Sequence, residues 1–475
     1  MRVAFNVQTI PHSFSEISCC SRNGLSARSC GVDFQGKSKS IKSAEALPVK
    51  NPDLSAARRS VVAIALATAT FAAHAWPTGW PSTATIPWNL GGSTSGIYTD
   101  RDGKAWDGTG WVVVDIDGAF RTDNPVFKTA SGKSKVLSEA CFGQKTGTNW
   151  GSLCKSQTWV TRPLPGDPSA GYWFSSATGS SLPSDSPDNI CRDDANSETP
   201  PYCHYYHGSA TAGIMVGQQT PRNEADGTRF VYTGVAPGAQ VITLKVGGGT
   251  GTIANAGWPI NSVVDALSYV VQLMKATPRP PVAAVNISAN GSSVAGQSAC
   301  GAGGDGARID QLAGELKAMH VAVVMVAGND ALNGGTGTWT CGSNVVVVGA
   351  TGVINPTVPT DYTNISQKVA LFAPVGTAER STGDFVLAPW AGLGSFYVWG
   401  TSFASPQVAA AFAVLRQKFG ANASVDALVD LMKTTGQPLT GTRAGLAASG
   451  ASVVNIKAAL DGPVPAADPA WSVSR

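Results

Sequence analysis

The sequence predicts an α/β fold of three layers: a mostly parallel twisted sheet flanked by helices, carrying a disulfide-bearing, loop-rich insertion. Three observations predict it. From Gly110 onward short apolar runs recur, and helix-like stretches alternate with them. Runs without polar alternation are typical of strands covered on both faces, and strands alternating with helices assemble parallel sheets. The 54 glycines and 29 prolines, spread without a collagen-like period, add many tight turns and long surface loops.

The elements follow in chain order. WVVVDI (111–116) is the first strand, and FVYTGV (230–235), QVITLKV (240–246), VAAVNIS (282–288), VAVVMVA (321–327) and NVVVVGA (344–350) are the later ones. Between them, Asn261–Ala276 and Ala307–His320 have helical patterns. Ligands of such sheets sit at the carboxyl ends of strands, so chemistry is sought where the apolar runs stop. Residues 126–205 are rich in Ser, Gly, Pro and Asp, and carry Cys141, Cys154, Cys191 and Cys203. They read as an insertion, and a bare loop of that length is uncommon, so a small disulfide-stapled subregion beside the cleft is expected. The main domain spans 108–460, after a short segment 76–107 and before a flexible tail 461–475.

With 475 residues, 43% of them apolar, the chain can bury a large core. A net charge of +3 and the lack of any Lys/Arg-dense run make no basic field, so no nucleic-acid partner is expected. Residues 58–75, RRSVVAIALATATFAAHA, place two arginines before an apolar stretch and an Ala-x-Ala ending at Ala73, His74 and Ala75. This is the pattern of a bacterial export signal, and the stretch is too short for a comfortable membrane span. A secreted or periplasmic protein with no membrane partner is expected. Of the nine cysteines, Cys19, Cys20 and Cys30 lie upstream of the signal, leaving six. Short-range closure favours Cys141 with Cys154 and Cys191 with Cys203, leaving Cys300 with Cys341. A zinc site is disfavoured, because no Cys-x-x-Cys occurs and His204 stands alone near these cysteines.

Three segments carry chemistry. In GTSFASPQVAAAFAVLRQ (400–417), Ser402 precedes a small-residue helix, with Pro406 at an early helical position. A helix start offers free amides and a positive dipole end, so a serine there can attack a carbonyl while backbone amide steadies the oxyanion. Taken alone, such a serine more often caps the helix. In HGSATAGIMVG (207–217), His207 meets a second small-residue helix, whose Gly208, Ala210, Ala212 and Gly213 allow close packing. An imidazole fixed in this way suits a general base, whereas His204 lacks the following glycine and His320 ends a helical pattern. In GTGWVVVDIDGAF (108–120), a strand closes on Asp117 and Gly118. A carboxylate there can hold the Nδ1 proton of a histidine, although an isolated Asp-Gly is usually only a turn.

The chain order Asp, His, Ser is that of subtilisins and differs from the chymotrypsin and α/β-hydrolase orders. Across about 108–460 the sequence resembles the subtilase family, most specifically at Gly400–Pro406, while His207–Gly213 departs mildly by having Ser209 where the family has Thr. The resemblance implies a triad of Asp117, His207 and Ser402, with Asn329 of VMVAGND as the oxyanion-hole side chain. By position it also makes Ser288, Ala289 and Asn290 the strand end that pairs with substrate, with Ala327 and Gly328 on another wall. The family often has Gly where Asn290 stands. At the aspartate, the family's Asp-Thr-Gly or Asp-Ser-Gly is replaced by Asp115-Ile116-Asp117-Gly118. Spacing from Gly110 and from Pro125 selects Asp117, with Asp115 as the fallback, since Asp115 would then occupy a normally apolar position.

The function so implied is that of a secreted serine endopeptidase acting on protein or peptide substrates through an acyl-enzyme, as a monomer. A silent peptide-binding module of the same family, or an esterase or peptide ligase using the same triad, is the alternative. No cofactor is needed for the chemistry. Members of the family commonly bind structural calcium, and Asp185, Asp188, Asp193 and Asp194 offer oxygen ligands, but a solvated loop is the preferred reading and no metal ligand is assigned. Only about thirty residues separate the signal from the catalytic region, too few for a pro-domain of any size. Roughly 48 residues precede Val49 without an apolar period and read as a spurious extension, so translation is expected to start at Val49, with the signal peptide at 49–75. The gene then carries GTG at position 49, and any other valine codon there contradicts this start.

Overall fold

The computed structural model describes residues 90–466, apart from 93–95, 119, 121, 123, 143–150, 153–157, 161–203, 219, 224–228, 247, 250–257, 297–299, 302, 378–382 and 390–394. All described residues fall in one compact unit, and the second unit, Val7–His74, lies outside them. The stretches read as an export signal and an upstream extension, and the acidic residues at 185–194, therefore also lie outside the described residues.

Ten strands make the main sheet: β1 (Val112–Asp117), β2 (Val136–Phe142), β3 (Thr158–Val160), β4 (Gln240–Val246), β5 (Val282–Ile287), β6 (Ala322–Val326), β7 (Val345–Thr351), β8 (Val369–Pro374), β9 (Gln437–Pro438) and β10 (Ser452–Val453). Their order across the sheet is β9-β10-β8-β7-β6-β5-β1-β4-β2-β3. Every pairing from β10 to β2 is parallel, and only the outermost strands, β9 and β3, are antiparallel. β1 sits near the middle between β4 and β5, so whatever it carries at its carboxyl end lies deep in the sheet's mouth.

Side-chain alternation along β1 divides the core. Val112, Val114 and Ile116 join one apolar cluster with helices α2 (Ile260–Lys275) and α3 (Asp305–Ala318). Val113 faces the other cluster, with α1 (His204–Val216), α4 (Ser405–Phe419), α5 (Val425–Thr435) and α6 (Ile456–Asp461). By the same period-two rule Asp115 and Asp117 share the face of Val113, toward α1 and α4. α4 is buried from Ser405 to Arg416, and Ala409, Ala410, Ala411 and Ala413 let its axis run close beneath β5 and β6. Arg416 ends inside the protein because its planar fork donates to the carbonyls of Gly420, Ala421 and Ala423 past the helix end.

The three-layer parallel sheet agrees with the sequence expectation, and the helices expected at Asn261–Ala276 and Ala307–His320 form within two residues of those bounds. Three elements differ. FVYTGV does not enter the main sheet: Arg229–Tyr232 pairs antiparallel with Thr220–Asn223 as a separate ribbon. Val136–Phe142, inside the stretch read as an insertion, is a parallel strand of the main sheet. Its Ser138 and Glu139 break the apolar run and disguise it. Asp461, at the start of the expected flexible tail, is tied down, accepting from Arg101 N at 2.6 Å and from Lys457 Nζ at 2.7 Å.

The expected Cys300–Cys341 disulfide is present. Cys154, Cys191, Cys203 and the side chain of Cys141 lie outside the described residues. The Cys300–Cys341 bond closes a separation of 41 residues that includes α3 and β6, which in the chain-entropy picture is worth about 4 kcal/mol. Replacing both cysteines by serine should lower the denaturation midpoint correspondingly, and an unchanged midpoint would show that the closure contributes nothing.

Candidate active site

Asp117, the last residue of β1, meets His207 in the first turn of α1. His207 Nδ1 lies 2.7 Å from Asp117 Oδ1 and 2.9 Å from Oδ2, and Gly118 N donates to Oδ1 at 2.6 Å. The Asp117 side chain is wholly buried and the His207 side chain 19% exposed. A carboxylate here only accepts, so Nδ1 carries the proton and the basic lone pair falls on Nε2. Trp258 packs edge-on to the imidazole at 5.9 Å between centroids, and Phe403 lies at 5.2 Å.

Asp115 lies two residues back on the same strand, also wholly buried. It is not unpartnered: Oδ1 accepts from Asn286 Nδ2 at 2.8 Å, and Oδ2 lies 2.7 Å from Thr211 Oγ1. Burial, reinforced by the neighbouring Asp117, pushes its carboxyl well above the usual range. The carboxyl that faces the imidazole is thus Asp117, while Asp115 is turned toward Asn286 on β5.

Ser402 stands in a single 3-10 turn, Thr401–Phe403, immediately before α4. Its neighbour Phe403 is the ring packed against His207, which brings the two segments together. No side chain caps α4, so Ser402 is not spent on capping. The turn is entered through Gly400 at φ 109°, a conformation closed to most side chains. Gly400 N also donates to Tyr362 Oη at 3.1 Å. Thr401 N and Oγ1 both donate to Asn329 Oδ1, at 2.8 and 2.9 Å. A backbone N–H can only donate, so the amide of Asn329 must face it with its oxygen, and its Nδ2 is presented on the other side.

The strand ends named as substrate walls leave the sheet side by side, because β5 and β6 are parallel neighbours. Asn290 Nδ2 donates to Ala327 O at 3.2 Å, stitching the two segments. Gly328 adopts φ 107°, and a Cβ there would collide with the side-chain amides of Asn290 and Asn364. Ser288 points inward: its hydroxyl donates to Ser402 O at 3.0 Å. His204 is the first residue of α1, and His320 lies elsewhere, its Nδ1 bonded to Ala421 O at 2.8 Å. Among the described residues, no group of three His, Cys, Asp or Glu is placed to hold a metal ion.

Sequence reasoning missed Thr211, Asn286, Tyr362, Thr401 and Ser405. A signal existed for two of them. Asn286 interrupts the apolar run VAAVNIS, and Thr211 interrupts a run of Ala and Gly, as Asp115 interrupts WVVVDI; a polar side chain in such a place demands a buried partner.

The chain is 25% identical over 256 residues to an "Extracellular protease" of Xanthomonas campestris pv. campestris, a match covering 54% of this chain. The chain spans 40% of the length of that relative. Among solved structures it is similar to a protease of Pseudoalteromonas arctica, at 18% identity and TM-score 0.47, covering 75% of this chain and 90% of that one. A cold-adapted subtilisin-like serine proteinase gives 17% identity and TM-score 0.42, over 72% of this chain and 89% of that one. Neither structural likeness is close enough to add to the topology already described. The subtilase family model, by contrast, matches residues 108–451, from the glycine before β1 to the residue before β10. That span holds the β1, α1 and α4 segments met above, and the chain belongs to the subtilase family.

Proposed function

We propose that this protein is an exported serine endopeptidase that cleaves peptide bonds through an acyl-enzyme, with Asp117, His207 and Ser402 as its triad. The observation that carries the reading is the 2.7 Å approach of Asp117 to His207 Nδ1, with the Ser402 turn packed against the same imidazole. With Nδ1 protonated and held, Nε2 takes the Ser402 proton as the hydroxyl attacks the scissile carbonyl. The oxyanion is received by Asn329 Nδ2 and backbone amide at the Ser402 turn. Protonated His207 then gives its proton to the leaving amine, and water, activated by the same Nε2, releases the acyl group.

Substrate backbone pairs with the strand ends at Ser288–Asn290 and Ala327–Gly328, where main-chain bonding asks little of sequence. Export is supported by the signal pattern at 58–75, by the disulfide, and by the name of the Xanthomonas relative. Among the described residues no helix is long and apolar enough to cross a membrane. The chemistry calls for no cofactor, and no residue is assigned to structural calcium.

Labelling of the secreted protein with a fluorophosphonate probe tests the reading. Wild type should label, Ser402→Ala and Asp117→Asn should not, and Asp115→Asn should; a folded wild type that fails to label would favour a silent peptide-binding module. Loss of an oxyanion-hole asparagine in a subtilisin costs about 10²–10³ in turnover, and Asn329→Gly should fall by a comparable factor with KM little changed. Parallel profiling on peptide and ester substrates separates an endopeptidase from an esterase.

A further inference from the structure

Beneath the candidate triad runs a buried hydrogen-bond chain that the reaction as described does not use. It begins at the carbonyl of Ser402 and ends at Asp117. Ser288 Oγ lies 3.0 Å from Ser402 O, Asn286 Nδ2 2.9 Å from Ser288 Oγ and 2.8 Å from Asp115 Oδ1, and Asp115 Oδ2 2.7 Å from Thr211 Oγ1. Thr211 Oγ1 is in turn 3.2 Å from Asp117 Oδ2. Ser405 Oγ completes Asn286, donating to its Oδ1 at 2.8 Å. Ser288, Asn286, Asp115, Thr211, Ser405 and Asp117 are all fully buried.

Donor counting fixes most of these directions. Ser402 O can only accept, so the Ser288 proton is committed there. Ser288 Oγ must then accept from Asn286, which faces it with Nδ2, and the second N–H of that amide is directed at Asp115 Oδ1. Any proton on Asp115 therefore sits on Oδ2, between it and Thr211. Thr211 has a single hydroxyl proton and four oxygens around it: Asp115 Oδ2, Asp117 Oδ2, and the carbonyls of His207 at 3.2 Å and Gly208 at 3.1 Å.

We propose that Asp115 is kept as a neutral carboxylic acid that donates to Thr211, so that the Thr211 hydroxyl donates onward to Asp117 and fixes the carboxylate that holds His207. Asp115 and Thr211 are positioning residues in this scheme, acting through Asp117. With Asp115 ionised, the hydroxyl would turn to it instead and Asp117 would lose a donor. The surroundings decide which of the two acids keeps the proton. Asp117 has the Gly118 amide and His207, and Lys245 of β4 stands beside it in register on the same face. Asp115 has only neutral partners, Asn286 from β5 and Thr211 from α1, with Thr243 in register on β4 and Glu139 beyond it on β2. α4 contributes the neutral Ser405. Two adjacent buried carboxyls do not both ionise readily, and the burial-driven upward displacement at Asp115 agrees. Once Asp115 donates, an anionic acceptor wins the Thr211 proton over the backbone carbonyls.

The inference rests on the proposed role of His207, and one of its tests does not. The infrared difference between wild type and Asp115→Asn at neutral pH should show the carbonyl stretch of a protonated carboxyl, displaced in Thr211→Val. A carboxylate-only difference overturns the proposal whether or not the protein is a peptidase. In kinetics, Thr211→Val and Asp115→Val should each lower kcat about tenfold at little changed KM, the worth of one hydrogen bond to a charged group. Thr211→Ser and Asp115→Asn should restore most of that loss, because the asparagine must face Asn286 with its oxygen and Thr211 with its N–H. The acid limb of the kcat/KM profile of Asp115→Asn should overlie that of wild type. A displacement to lower pH by about one unit would show that a negative charge had been removed, and would overturn the assignment. Thr211→Val behaving as wild type in kcat would do the same.

Discussion

The contact between a buried carboxylate at the carboxyl end of β1 and a histidine of α1 is the constraint on which the rest depends. Asp117 is wholly buried, and a carboxylate so placed is tolerable only with partners supplied at fixed positions. The Gly118 amide and His207 Nδ1 supply two of them, at 2.6 and 2.7 Å, from different elements, the strand end and the first turn of α1. α1 must therefore lie close and in one rotational setting. Gly208, Ala210, Ala212 and Gly213 permit that approach, and the buried face of Ser209–Val216 holds it.

The same logic extends to the second helix. α4 is buried nearly along its whole length under β5 and β6, so the turn that precedes it has little freedom. Gly400 lets the chain enter at positive φ, Thr401 bonds Asn329, and the Ser402 carbonyl is received by Ser288. Three strand ends, those of β1, β5 and β6, and two helix starts converge on one edge of a parallel sheet. The polar chain from Ser402 O through Ser288, Asn286, Asp115 and Thr211 ties these elements from below through direct bonds between buried groups.

Much of this was legible in the sequence, for reasons that can be named. Long apolar runs such as VAVVMVA and NVVVVGA can only be strands covered on both sides, and the amphipathic period of 261–276 can only be a helix against them. The Asp, His and Ser segments each carried a bland reading alone, and acquired meaning by their order. What escaped were elements whose signal is mixed. Val136–Phe142 hides a strand of the main sheet behind Ser138 and Glu139, and VALFAP ends on Pro374, which reads as a break although it closes β8. FVYTGV has strand composition yet pairs in its own ribbon, because composition does not choose the partner. Asp115 was read as a costly apolar-site intruder, and its cost is met by Asn286 and Thr211, two side chains far away in sequence.

The account stands or falls on Asp117 holding the Nδ1 proton of His207. Proton NMR of the folded protein reads it directly, as a far-downfield resonance from a shielded, strongly hydrogen-bonded imidazole N–H. Such a signal should be present in wild type and in Asp115→Asn, and absent in His207→Ala and Asp117→Ala. Its survival in Asp117→Ala, or its loss in Asp115→Asn alone, would contradict the assignment and move the central carboxylate to Asp115.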